Sequence, residues 1–208
     1  PDDVRAEAAR ALLDGPNQYP PMRGLPALRQ AVADHDRRHF GLDVDPARGV
    51  LVTSGATEAI ASAILGLVDP GDEVIVFEPL YDSYVPMIRC AGAVPRIVRL
   101  SPPDWAVPLE ALRAAITPAT RLILLNTPHN PCGKVWSADE LDAVARLCVA
   151  HDLLAVSDEV YEHLVFAPAR HRSLLSRPGM VARAVKIGSA GKTFSLTGWK
   201  VGYLSGAP

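Results

Sequence analysis

Residues 153–164 read LLAVSDEVYEHL. Four apolar residues run together and then give way to Ser157, Asp158 and Glu159. A strand with one wet face alternates apolar and polar residues, whereas a strand covered on both faces does not. LLAVSD (153–158) therefore reads as a strand buried on both sides that ends in a carboxylate. Further short β-branched runs are VLVTS (50–54), EVIVFE (73–78), VPRIVRL (94–100), RLILLN (121–126), AVKIGS (184–189) and VGYLSG (201–206), several of them apolar throughout. Helical patterns lie between these runs. LPALRQAVADHDRRHF (25–40) sets Leu25, Leu28, Val32 and His39 near one face. SADELDAVARLCVAHD (137–152) opens with a capping box, Ser137 to Glu140, and carries Leu141, Val144, Leu147 and Cys148 on one stripe. Strand then helix, repeated, gives an α/β fold: three layers, a mostly parallel sheet with helices on both faces. Ligands of such sheets bind beyond the carboxyl ends of the strands.

The composition fits that fold and narrows the function. The chain has 208 residues, 49% hydrophobic and 21% charged, enough for a sizeable core in about one domain. A formal charge of -2 argues against a protein devoted to nucleic acid or to a membrane surface. The longest apolar stretch, AIASAILGLV (59–68), is too short to cross a bilayer. Cys90, Cys132 and Cys148 are odd in number and form no CxxC, which fits a reducing cytosol and a cytoplasmic protein rather than a disulfide framework.

The unusual residues fall at the strand ends. In LVTSGATEAI (51–60) a strand meets Ser54-Gly55-Ala56-Thr57 and then a helix, so free backbone N–H groups and the positive helix end are available to a phosphate. The competing reading is a plain turn with a Ser/Thr cap. In LLNTPHNPCGK (124–134), Asn130 stands just past a strand, either as a turn residue or with its amide reaching into the crevice. Asp158 at its buried strand end needs a cation or strong donors. A ligand with a protonated ring nitrogen would supply one; an N-cap role is the alternative. Tyr161 follows three residues later, on the same side if a helical turn begins there. Tyr81, in FEPLYDSY (77–84), follows another strand end and could stack on a flat ligand or simply pack.

GSAGKTFSLTGWK (188–200) places Lys192 among small and hydroxyl residues. Its GKT resembles the end of a P-loop, but the first glycine of GxxxxGK[ST] would fall on Lys186 and Gly198 interrupts the helix that should follow. A Schiff base between Lys192 and an aldehyde is the other use, with Ser189 and Lys200 holding an anion beside it. HDRRH (35–39) spaces two histidines like a zinc site, but it lacks the glutamate of HExxH and a third ligand, so a solvated helix face is expected and no metal.

Taken together, NQYPPMRGLPALR (17–29), TSGATEA (53–59), FEPLYDSY, NTPHNPCGK (126–134), SDEVYE (157–162) and GSAGKTFSLTGWKVGY (188–203) resemble the class I/II, fold-type-I aminotransferases. The wording is similar to the kynurenine, methionine and succinyl-diaminopimelate aminotransferase-like group. The resemblance implies the large domain of a transferase dependent on pyridoxal 5'-phosphate (PLP) and the transfer of an amino group from an amino acid to a 2-oxo acid by a ping-pong route. It implies that Lys192 carries the cofactor as an internal aldimine and later shuttles a proton. Asp158 would pair with the pyridine nitrogen, and Tyr161 and Asn130 would bond the phenolic oxygen. Tyr81 would stack on the ring, and Gly55, Ala56, Thr57, Ser189 and Lys200 would hold the phosphate. Many relatives have arginine at the position of Lys200; lysine supplies the charge without the bidentate fork. Tyr19 would reach the cofactor of a neighbouring subunit, which implies a homodimer with shared sites. The family also often has a cis peptide at the position of Asn130–Pro131.

The resemblance further implies that residues 1–40 lead into a PLP-binding large domain at 41–208, with the small domain largely missing. A C–S β-lyase on the same scaffold is an alternative chemistry. The effector domain of a transcription regulator, with a basic helix-turn-helix upstream, is an alternative of another class.

Overall fold

The computed structural model describes residues 1–208. In chain order the elements are α1 (Asp2–Asp14), α2 (Pro26–Phe40), β1 (Val50–Ser54), α3 (Gly55–Leu67), β2 (Glu73–Glu78), α4 (Tyr84–Cys90) and β3 (Val94–Arg99). There follow α5 (Leu109–Ala115), β4 (Thr120–Asn126), α6 (Ala138–Ala150), β5 (Leu154–Asp158), β6 (Ala184–Ser189), α7 (Ala190–Thr193) and β7 (Val201–Gly206). All seven expected strands form, within a residue or two of their expected ends, in one sheet of order β1-β7-β6-β5-β4-β2-β3. Only β7 runs against its neighbours.

Strand periodicity explains the layers. Successive side chains point to opposite faces. Val74, Val76, Leu122, Leu124, Val156 and Ile187 face one core with Ile60, Ile64, Tyr84 and Ile88 of α3 and α4. Ile75, Phe77, Ile123, Leu125 and Ala155 face the other, with Val32 of α2, Leu112 of α5 and Leu141 and Val144 of α6. Both faces are covered, so the central strands can be apolar throughout. The outlying strand β3 departs from this, with Val94 and Ile97 exposed. The capping box at the start of α6 is present: the Ser137 hydroxyl accepts from the Glu140 N–H, and the Glu140 carboxylate accepts from the Ser137 N–H. Such a cap contributes about 1 kcal/mol.

The expected apolar stripe of α2 is corrected by the packing. Leu25, Leu28 and His39 are exposed, and the buried face is Val32, Ala33 and Asp36. Asp36 is buried because Lys186 of β6 lies opposite it on the same face of the sheet. The fully buried Lys186 Nζ sits 2.6 Å from Asp36 Oδ1 and 2.7 Å from Glu162 Oε2. The Ser205 hydroxyl donates to the second Asp36 oxygen at 2.6 Å. Burial opposes charge on Lys186, but Tyr203, Glu162 and Asp36 outweigh it and hold its pKa above the ordinary lysine value.

Candidate active site

The C-terminal ends of β1, β6, β5 and β4 come together along one edge, and β7, being antiparallel, begins there. Ser54 pairs with Val201, Ser189 with Gly202, and Asn126 with Asp158. The edge opens into a cavity lined by Gly55, Ala56, Thr57, Tyr81, Asn130, Asp158, Tyr161, Ser189, Lys192 and Lys200. Ten of the eleven residues singled out in the sequence thus converge on one site. The eleventh, Tyr19, is 99% exposed and lies outside it.

One wall is anionic. Asp158 follows Val156 by two residues, so its side chain points to the α3 face, where it is buried. Its Oδ2 accepts from the Tyr84 hydroxyl at 2.5 Å and its Oδ1 from the Val160 N–H at 3.3 Å. No helix starts at the end of β5, so the N-cap alternative is not realised; the second bond closes a local turn while the side chain lines the cavity. No arginine or lysine makes an ion pair with it. Burial therefore dominates over the Tyr84 and Val160 bonds and raises its pKa to about 6. The same burial and the nearby Asp158 charge raise the pKa of Tyr84.

The sequence reading missed two supports of this wall. Tyr84, the last residue of the quoted FEPLYDSY, holds Asp158 from 74 positions away. Asn126 donates its side-chain N–H to the Asp158 carbonyl at 2.9 Å and accepts the Asn130 N–H at 2.6 Å. It ties the strand ends to the loop that presents Asn130. Its position as the last residue of an apolar strand was the available signal. The Asn130–Pro131 peptide is cis, as the resemblance implied.

The opposite wall is built for an anion. Helix α3 starts at Gly55 with no side-chain cap on its N-terminal amides. The alternative of a Ser/Thr cap is thereby excluded. Gly55 has φ +77°, a left-handed conformation that favours glycine. Behind it, Gly202 of β7 leaves room for the turn: a Cβ there would stand 2.3 Å from the Gly55 carbonyl carbon and 2.4 Å from the Ala56 nitrogen. Ser189 Oγ accepts from the Lys192 N–H at 3.3 Å, which leaves its own hydrogen free to donate. Lys192 Nζ lies 5.7 Å from the centre of the Tyr161 ring, between the anionic wall and the amide cradle.

This site fits PLP on its own chemistry. A buried carboxylate without a cationic partner suits a protonated ring nitrogen. Uncapped helix amides, a free hydroxyl and Lys200 suit a phosphate. A half-buried primary amine, Lys192, stands between them for an aldehyde.

HDRRH needs a correction. His35 is not on a purely solvated face: Glu162 and His163, which follow β5, come to meet it, with His35 Nε2 2.8 Å from His163 Nε2. The missing third partner lay 123 residues or more away in the chain and was invisible to local spacing.

Comparison with known proteins identifies the family. The family model "Aminotransferase class I and II" matches residues 1–208. A probable N-succinyldiaminopimelate aminotransferase of Mycobacterium tuberculosis is 51% identical over 208 residues, which is 99% of this chain and 52% of that protein. The solved structure of N-succinyldiaminopimelate aminotransferase from Mycobacterium tuberculosis superposes with a TM-score of 0.97 at 51% identity, over 99% of this chain and 54% of that one. Aspartate aminotransferase from Thermus thermophilus with maleate gives 0.94 at 40% identity, over 100% and 53%. The chain spans about half the length of the curated relatives it matches.

Proposed function

The chain belongs to the class I and II aminotransferase family, and from that premise we propose that the protein moves an amino group from an amino acid to a 2-oxo acid with PLP held in the cavity above. The observation that carries the reading is Asp158, a buried carboxylate with no cationic partner, set across the cavity from an amide cradle with Lys192 between them. When bound, the cofactor supplies an electron sink that stabilises the charge left on Cα as its proton departs.

The chain's own groups supply position and proton control. Asp158 would hold the ring nitrogen in its protonated form, a pairing that favours the ionised carboxylate over the neutral acid. Tyr161 and Asn130 would donate toward the phenolic oxygen. Tyr81 would pack over the ring. Gly55, Ala56 and Thr57 would offer N–H groups to the phosphate, with Ser189 and Lys200 beside them. Lys192 Nζ, which lines the same cavity, would move the proton from the donor's Cα. The kinetics are ping-pong.

A homodimer with shared sites is part of the proposal. Helix α1 has no buried residue and leaves Leu12 and Leu13 exposed, and Tyr19 and Met22 are each 99% exposed, a surface suited to a second copy. A cytoplasmic location is also proposed, on three unpaired cysteines and the absence of any helix long and apolar enough to cross a membrane.

The test is amino transfer by the full-length protein from a panel of amino acids to 2-oxoglutarate. Transfer that Lys192→Ala abolishes is expected. Undiminished transfer by that variant would overturn the assignment of Lys192, and stoichiometric release of pyruvate and ammonia from a cysteine conjugate would favour the lyase chemistry instead.

A further inference from the structure

On the α2 face of the sheet, away from the cofactor cavity, three imidazoles gather over the buried Lys186 network. His35 Nε2 lies 2.8 Å from His163 Nε2 and 3.6 Å from Glu162 Oε1, and His163 Nε2 lies 3.9 Å from the same oxygen. The ring of His39, one helical turn beyond His35, is 4.8 Å from His35 and 5.2 Å from His163. Nothing in amino transfer uses these groups.

The arrangement around them resembles the surroundings of a metal ligand. His35 Nδ1 is 3.2 Å from Asp36 Oδ1. Donation from Nδ1 to that carboxylate leaves Nε2 unprotonated with its lone pair directed at the cluster, which is how a carboxylate fixes a ligating histidine. The 2.8 Å contact is then a hydrogen bond donated by His163 Nε2. Glu162 is held from behind by Lys186 Nζ at 2.7 Å. Asp36 and Glu162 together outnumber the single Lys186 charge, so the buried trio attracts one more positive charge.

We propose that His35, His163 and Glu162 form a binding site for a divalent transition-metal ion of zinc type, with His39 or water in the fourth position, that fastens α2 to the turn following β5. Zinc–nitrogen and zinc–oxygen bonds of about 2.0–2.2 Å in tetrahedral geometry set ligand atoms about 3.3 Å apart. The three separations, 2.8, 3.6 and 3.9 Å, bracket that value. His163 is on a turn with its side chain 33% exposed and is free to make the half-ångström shift. The ion takes the place of the proton between the two imidazoles. His163 keeps that proton on Nδ1, so its ring stays neutral, and no other proton need leave. Imidazole with one carboxylate suits zinc, with copper and nickel as competitors.

The test uses the full-length protein, stripped with a chelator and titrated with Zn²⁺ against a chromophoric competitor. One ion per chain is expected at micromolar or lower dissociation constant, weakened at least tenfold in His35→Gln and His163→Gln. Co²⁺ in its place should show the visible bands of a tetrahedral site without a thiolate charge-transfer band. Should either variant fail to fold, the unaltered protein still answers: Zn²⁺ should shield His35 and His163, but not the exposed His151, from diethyl pyrocarbonate. No stoichiometric binding, binding indifferent to both substitutions, a thiolate band from Cys90 or Cys132, or no shielding would each overturn the site.

Discussion

Gly202→Ala tests the link between sheet and cofactor cradle. The added Cβ would stand 2.3 Å from the Gly55 carbonyl carbon, 2.4 Å from the Ala56 nitrogen and 2.7 Å from the Gly55 oxygen. Ordinary contact needs about 3.4 Å or more, so one side must retreat by about 1 Å. Both partners are backbone, and no side chain can turn away. Strand β7 is held on both sides, Gly202 pairing with Thr53 of β1 and with Ser189 of β6. The N-terminus of α3 therefore moves, at a cost of about 1–3 kcal/mol for overpacking. That displacement carries the Gly55–Thr57 amides away from the phosphate position. Loss of one hydrogen bond to a charged group, about 1.5–3 kcal/mol, corresponds to a PLP affinity lower by roughly 10- to 150-fold. The assay is a PLP titration of the cofactor-free protein by absorbance, with urea unfolding in parallel. Gly66→Ala is the control: its Cβ enters open space within the same helix, and it should leave PLP affinity unchanged and raise stability by up to about 1 kcal/mol. If Gly202→Ala matched the parent in both affinity and stability, the claim that β7 sets the cradle would be refuted.

Two further outcomes follow from buried charge. Asp158, raised to about 6, binds a proton more readily when folded than when unfolded; its ionisation therefore weakens the cofactor-free protein as pH rises from about 4 through 6. Asp158→Asn should stabilise the cofactor-free protein at pH 8 by on the order of 2 kcal/mol, with the gain fading towards pH 4, while PLP binding falls; a gain independent of pH in urea unfolding would contradict this. Lys186→Met leaves Asp36 and Glu162 buried without their cation and should cost about 3–5 kcal/mol at pH 8. Adding Glu162→Gln should restore part of that loss, and unfolding curves of the single and double variants that coincide would count against the network.

The strands were legible because seven short apolar runs, most of them covered on both faces, leave a signal within each run. The site was legible for a related reason: strand ends, glycine turns and one isolated lysine mark the crevice locally. What stayed hidden depends on partners distant in the chain. Tyr84 gives no sign in sequence that it holds Asp158, and Lys186 reads as an ordinary strand residue until β6 lies beside α2. The exposed Leu25 and Leu28 show the same limit from the other side, since helical periodicity can mark a stripe without saying what covers it.

The central claim is that Lys192 meets PLP between Asp158 and the α3 cradle. The most direct measurement is to add PLP to the purified protein, record its visible absorbance, reduce with borohydride and map the modified peptide. The account predicts a visible band and a single pyridoxyl group on Lys192, both lost in Lys192→Ala. A folded protein that shows no band, or one labelled at Lys186 or Lys200 with Lys192 untouched, would contradict it.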